Sequence, residues 1–263
     1  MSGNRPGGTI TIAGKQVARL GFGTMRLTGS GTWGTPADQT TALRLLRTCV
    51  AEFGINHIDT ADAYGPHTVE ELIRWALHPY DDDLLLATKV GMVRPAPNIW
   101  SPLGRPDYLR AAVEGSLRRL ATERLDLCYL HRIDPTVPLA DQVAVLDALR
   151  EEGKIGAIGL SKVTPRQIAE ASTFVPIAAV QNVLNIDEPD DPAVAYCAQH
   201  GIPYIPYRPL NAGRHAGDSA GKALRWLLDL GEHVAPIPGT SNPEHLAALV
   251  AAVTADHPES EQR

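Results

Sequence analysis

The stretch Asn56-His57-Ile58-Asp59-Thr60-Ala61-Asp62-Ala63-Tyr64-Gly65 is approached through apolar Phe53 and Ile55 and then turns abruptly polar. It reads as a short buried strand ending near Asp59, a loop, a turn at Tyr64-Gly65-Pro66, and a helix beginning near Val69. Asp59 and Tyr64 therefore leave one strand end together. A turn-capping carboxylate with a tyrosine packed over it would give the same pattern. What decides between structure and chemistry is whether other strand ends send polar groups to the same place.

Outward from this stretch the chain repeats one theme, an apolar run followed by a polar or glycine-bearing loop and an amphipathic helix. The runs fall at 20–23, 57–59, 84–88, 125–130, 155–160, 178–181, 202–207 and 233–237. The helices fall at 36–53, 69–77, 106–120, 139–152, 164–171, 192–200, 220–230 and 243–255. Pro106 after Arg105, Thr164-Pro165 and Asn242-Pro243-Glu244 are helix starts, with a cap or an early proline in each. Ahead of them, runs at 9–12 and 16–19 around Ala13-Gly14-Lys15 predict a β-hairpin.

Eight strand–helix units in register predict parallel strands, in either an open doubly wound sheet or a closed barrel. The count of eight and the 263-residue length favour the barrel, for which about 250 residues is typical. The first unit also lacks Gly-x-Gly-x-x-Gly, since Gly21-Phe22-Gly23-Thr24 is too short a match. The expectation is one α/β domain over 1–263, a (β/α)8 TIM barrel with the hairpin closing its bottom and a shortened C-terminal segment.

Composition narrows the function. A net charge of -6 argues against nucleic acid as a partner. No apolar run is long enough for a membrane span, and the first eight residues lack the apolar core of a secretory signal. Cys49, Cys128 and Cys197 sit among apolar neighbours and read as reduced core residues of a cytoplasmic protein, with no metal site.

In such a barrel, chemistry gathers where the strands end. Those ends carry Asp59 and Tyr64, then Lys89, His131, Ser161, Gln181 with Asn182, and Tyr207. Each alone reads most simply as a hydrogen-bonded structural residue. Together, a carboxylate, a phenol, an ammonium and an imidazole on adjacent strand ends share a task. A phenol with pKa near 10 is a poor acid at neutral pH, and an ammonium against its oxygen is expected to lower that value by about 1–3 units. A carboxylate would hold the lysine charged, and the histidine would meet a substrate oxygen. The set suits protonation of an alkoxide as it forms. A Schiff-base aldolase using Lys89 is the alternative, though a lysine held charged by Asp59 is a poor nucleophile. A barrel repurposed for binding or non-redox acid–base chemistry is another.

Gly21-Phe22-Gly23-Thr24, the stretch from Asp59 to Gly65, Thr88-Lys89, Leu130-His131-Arg132, Gly159-Leu160-Ser161, Val180-Gln181-Asn182 and Pro236-Ile237-Pro238-Gly239-Thr240-Ser241 occur in that order. In this the chain resembles the aldo-keto reductase family over nearly its full length. The resemblance implies a catalytic tetrad of Asp59, Tyr64, Lys89 and His131. It implies reduction of an aldehyde or ketone with NADPH, or NADH, by hydride transfer, with Tyr64 as the acid.

By the same resemblance, Ser161 and Gln181 hold the nicotinamide amide, Tyr207 stacks on its ring, and Gly239, Thr240 and Ser241 cradle a phosphate. Gly23, Thr24, Met25, Arg208 and Leu210 complete the cofactor rim. His245 stands where many relatives have an arginine for the 2′-phosphate, Lys162 where they have Asn or an acid, and Ala248 and Leu249 where they have Glu-Asn against the adenine. These departures predict a weaker grip on the dinucleotide. Trp33, Trp100 and Arg132 are candidate walls of the substrate pocket. The bacterial members most resembled act on carbonyls from pyridoxal-like aldehydes to polyketide-type ketones, and a monomer is the family expectation.

Overall fold

The computed structural model describes residues 5–254. Its sheet is built from β3 (Phe22–Gly23), β4 (His57–Asp59), β5 (Leu85–Val90), β8 (Leu125–Leu130), β9 (Ile155–Ser161) and β10 (Ile177–Gln181), all parallel and in that spatial order. Before β3 comes the hairpin of β1 (Thr9–Ile12) and β2 (Lys15–Ala18). Between β5 and β8 lies a second small hairpin, β6 (Met92–Val93) with β7 (Ser101–Pro102), which the periodicity did not reveal.

Alternation along the strands makes two packed layers, as expected when both faces of a parallel sheet are covered. Leu85, Ala87, Leu127, Tyr129, Ala179, Ile205, Ala235 and Ile237 form an inner core with Ile12 and Val17 of the hairpin. Leu86, Val90, Cys128, Leu130, Leu160 and Val180 belong to the outer core, which they share with the helices. Those helices are α1 (Gln39–Ala51), α2 (Thr68–Leu77), α3 (Pro106–Leu120), α4 (Leu139–Glu151), α5 (Pro165–Ser172), α6 (Pro192–His200), α7 (Asp218–Asp229) and α8 (Pro243–Thr254). The arrangement is that of an α/β (β/α)8 barrel.

The last two expected strands differ from the other six. Segments 202–207 and 233–237 make only isolated parallel bridges, Val180 to Tyr204, Val183 to Tyr207 and Tyr204 to Val234. The reason lies in Pro203, Pro206, Pro236 and Pro238, which have no N–H to give to a ladder. Their carbonyls still accept: Val180 N–H donates to Pro203 O, Ile237 N–H to Pro206 O, and Gly21 and Gly23 N–H to Pro236 O and Pro238 O. These bonds run from β10 through both segments to β3. Gly23 and Gly239 meet there so closely that a Cβ on Gly239 would stand 2.4 Å from Gly23 O.

Smaller differences have local causes. The first helix starts at Gln39, not at 36, because Asp38 takes up Thr41 N–H as its cap. Thr164 and Gln167 form the full capping box at α5. Leu249 is buried in the outer core and only Ala248 of that pair is exposed, so Leu249 does not face an adenine site. The expected shortened C-terminal segment falls outside the described residues.

Asn56 ties the hairpin to the barrel floor. Asn56 accepts from Ala18 N–H at 2.9 Å and donates to Gln16 O and Asp83 O at 3.2 and 2.8 Å. Lys15 reaches Leu84 O and Asp126 from the same hairpin. Replacing Asn56 with the similarly sized Leu strands the buried Ala18 N–H, at a cost of about 1–3 kcal/mol, and removes two part-buried bonds besides. Asn56→Leu is therefore expected to lower the unfolding midpoint clearly in a thermal or denaturant melt. An unchanged midpoint would show that the hairpin does not depend on Asn56.

Candidate active site

The loop after β4 is shaped by backbone hydrogen bonds to the neighbouring strand. Thr60 N–H donates to Ala87 O and Asp62 N–H to Lys89 O, while Tyr64 N–H turns back to Ala61 O. Gly65 follows at φ +99, and a Cβ there would strike the Thr68 hydroxyl at 1.7 Å. The turn thus aims Tyr64 over the end of the sheet. Behind it, fully buried Glu70 of α2 accepts from Thr88 Oγ1 at 2.7 Å and pairs with Arg119 of α3 at 2.6 Å. That pairing fixes α2 against the outer side of β5.

On the inner side of β5, Lys89 is the hub. Its Nζ donates to Asp59 Oδ1, to Thr60 O at 2.8 Å and to Tyr64 Oη at 3.4 Å. All three ammonium hydrogens are thereby engaged, and Asp59 favours the charged form over the free amine that a Schiff base needs. The ammonium also stands 5.2 Å from the Tyr64 ring centroid and 5.9 Å from that of Tyr129. Asp59 is held from two more directions. Gln181 Nε2 donates to its second oxygen at 2.8 Å, and Thr24 Oγ1 donates to its backbone carbonyl at 2.9 Å.

His131 follows β8 and is 5% exposed. Its Nδ1 is buried without a partner, and Nε2 makes no hydrogen bond among the described residues. Tyr64, His131 and Trp100 form a triangle of edge-to-face rings, with centroids 6.1, 6.2 and 6.5 Å apart. The four residues expected as a tetrad thus converge, and Trp100 joins them.

Burial dominates the electrostatics. It pushes the Tyr64 phenol above its usual range, and Lys89 pulls the other way without overcoming it. The expected net lowering of Tyr64 is therefore not what the protein produces; enclosing the ring outweighs the ammonium. Burial also works against the charge on Lys89, yet Asp59, and then Tyr64, hold it above the usual lysine range. The His131 imidazole is driven well below its ordinary value by burial, then by Lys89, Arg132 and Arg94. It is neutral at physiological pH.

The remaining expected residues form two further groups. Arg132 Nη1 donates to Ser161 Oγ at 3.0 Å and to His131 O, and its guanidinium lies 5.8 Å from the Tyr207 ring centroid. Ser161 keeps its own O–H to give, and Gln181 keeps its Oε1 to receive, among the described hydrogen bonds. That donor set fits a primary amide, and half-buried Tyr207 offers a flat face beside it. Asn182, by contrast, is committed to Val163 and Asp191.

The second group lies at the start of α8. Asn242 caps the helix by accepting from Glu244 N–H, Thr240 Oγ1 accepts from Asn242 N–H, and Ser241 and His245 are exposed. An anion is favoured at such an end by its N–H groups and dipole. Arg208 is exposed, Leu210 and Met25 are half-buried, and no hydrogen bond ties any of these to the buried tetrad. Thr24 is fully buried with its hydroxyl donating to Asp59 O, so its side chain supports the strand end. Among the described residues there is no cluster suited to a metal ion, and no helix is long and apolar enough to cross a membrane.

Glu70 and Arg94 carry no local signal in the sequence that marks them as part of the site. An arginine in a loop is ordinarily solvated. Arg94 is instead 8% exposed and stacks on Trp100 at 3.6 Å from its centroid. Trp33, the other candidate wall, lies 5.8 Å from the same guanidinium.

Known proteins share this sequence pattern and fold. The sequence profile of the Aldo/keto reductase family matches residues 19–221. An uncharacterized oxidoreductase of Schizosaccharomyces pombe is 42% identical over 260 residues, covering 93% of this chain and 84% of that protein. The pyridoxine 4-dehydrogenase of Escherichia coli is 39% identical over 264 residues, covering 93% of this chain and 92% of that protein. Among solved structures, a glycerol dehydrogenase from Gluconobacter oxydans superposes with a TM-score of 0.84 at 26% identity, covering 98% of this chain and 91% of the other. An aldo-keto reductase from Bacillus halodurans in holo form gives 0.80 at 27%, covering 94% and 91%. With its profile, its relatives and its fold in agreement, this chain is an oxidoreductase-type member of the aldo/keto reductase family.

Proposed function

We propose that the chain acts as one barrel domain that reduces an aldehyde or ketone with NADPH, Tyr64 giving the proton. The observation that carries this reading is the Lys89 ammonium, held by Asp59 and bonded to Tyr64 Oη at the mouth of the barrel. Ser161, Gln181 and Tyr207 would hold the nicotinamide end, and Gly239, Thr240, Ser241 and the α8 N–H groups the phosphate end. When bound, the dinucleotide supplies hydride to the carbonyl carbon.

The chain's own residues manage the oxygen. Neutral His131 offers Nε2 to it and orients the carbonyl. Tyr64 then transfers its proton to that oxygen as negative charge builds there. The phenolate left behind lies against Lys89, which lowers its cost, and solvent restores the proton. Because burial keeps Tyr64 protonated in the resting site, the acid is present through the neutral range.

The substrate we favour is a flat aromatic aldehyde of the pyridoxal type. The ring triangle of Tyr64, Trp100 and His131 supports it, with Trp33 nearby, and so does the similarity to a relative named for pyridoxine. A monomer in the cytoplasm is the setting we infer from the sequence.

Tyr64→Phe is expected to keep dinucleotide binding and lose turnover by about 10²–10⁴-fold. Turnover within a few-fold of wild type would remove Tyr64 from the proposed role. With His131 neutral, kcat at saturating substrate should stay flat from about pH 6 to 8, where an ordinary histidine would titrate.

At the far end of the cofactor, helix-terminus effects of about 0.3–1 kcal/mol are what the start of α8 provides. Dissociation constants for NADPH and NADH should therefore differ by only a few-fold to tens-fold, in favour of NADPH. A ratio in the thousands would instead reveal a fixed cation, with Arg208 and Arg214 the first to replace.

A further inference from the structure

We propose that Arg94 is a positioning residue that locks the first three loops at the barrel mouth, and with them Tyr64 and Trp100, into the geometry that carbonyl reduction needs. This rests on the function proposed above. Four hydrogen bonds carry the argument. Arg94 Nη2 donates to Gly31 O at 2.8 Å, Nη1 to Thr32 O at 2.9 Å and Ala63 O at 3.0 Å, and Nε to Ile99 O at 2.9 Å. Those acceptors belong to the loops after β3, β4 and β5, so one side chain ties three separate loops.

Each acceptor neighbours a wall of the site. Ala63 precedes Tyr64, Thr32 precedes Trp33, and Ile99 precedes Trp100. The guanidinium plane then covers Trp100, whose edge meets both Tyr64 and His131. The first loop is tied to the second again on the far side of Tyr64, where Gly34 N–H donates to Gly65 O at 2.6 Å. Tyr64 is thus gripped before and after by contacts that run through the first loop.

The chemistry of the grip is unusual. No carboxylate pairs with Arg94 among the described residues, and its charge is met only by carbonyl dipoles. A buried cation so placed is costly compared with an apolar residue of similar volume. What it provides is geometry, since a rigid fork of five N–H donors can reach several carbonyls at once and stack on an indole. Lysine has neither property. A misplacement of about 1 Å at a reacting group can cost about 10²-fold in rate, and the 3.4 Å contact between Lys89 and Tyr64 Oη has little slack to lose.

The test compares Arg94→Lys and Arg94→Met with wild type by hydrogen exchange, dinucleotide binding and steady-state kinetics. We expect faster amide exchange confined to 31–34, 61–66 and 96–100 in both variants. We also expect kcat with a pyridine aldehyde to fall by about ten- to a hundred-fold, with the NADPH dissociation constant within two-fold. Lysine should not rescue, because charge alone is not the role. Unchanged exchange in the three loops would overturn the clamp, and so would loosened loops with kcat kept. Full activity in Arg94→Lys would show that charge suffices. If one variant fails to fold, the other decides. A wild-type protein that reduces no carbonyl would end the functional reading alone, because the exchange comparison needs no turnover and still judges the clamp.

Discussion

The site depends on one charge, the Lys89 ammonium buried inside the barrel. A cation so enclosed is tolerable only with its hydrogen bonds filled and an opposite charge at contact. Both conditions are met, by Asp59 on one side and by Thr60 O and Tyr64 Oη on the other. Most of the surrounding architecture serves that arrangement. Gln181 from β10 satisfies the second oxygen of Asp59, and Thr24 from beyond β3 fixes its backbone. Strands on opposite sides of the sheet are therefore joined through one carboxylate.

The same burial sets the chemical states. It keeps Tyr64 a phenol and His131 a neutral imidazole, while Asp59 keeps Lys89 charged. A phenol, a neutral imidazole and a fixed cation thus stand together at the mouth of the barrel. The Glu70–Arg119 pair on the outer side of β5 and the Arg94 bonds above the mouth hold this set from two further directions. Pro203, Pro206, Pro236 and Pro238 thin the ladder next to β3 and β10, and the segments they interrupt still pass carbonyl-accepted bonds across.

The sequence made the barrel and the tetrad legible because both rest on local signals. Strand runs, early-helix prolines and the abrupt polar ends after Ile58 and Leu130 need no knowledge of distant contacts. Where the reading fell short, the missing information was tertiary. An arginine in a loop is ordinarily solvated, and nothing local says that two other loops will close over Arg94. The net rise in the Tyr64 pKa depends on how completely the ring is enclosed, which a motif does not encode. The burial of Thr24 and Leu249 likewise comes from packing that position in a pattern does not encode. The prolines in the last two strand segments were visible, and their effect on the ladder follows from the missing N–H alone.

The account stands or falls on whether Lys89 acts electrostatically on Tyr64. The direct measurement is an alkaline titration of the Tyr64 phenol, followed by NMR of protein labelled with ¹³C at the tyrosine Cζ, in wild type and in Lys89→Met. With the ammonium gone, the largest pull against burial and the Asp59 charge is removed and only the weaker one of Arg132 remains, so the titration of the phenol should move to higher pH than in wild type. Coincident curves in two folded proteins would contradict the account, because the buried charge would then have no hold on the proton that the proposed reaction needs.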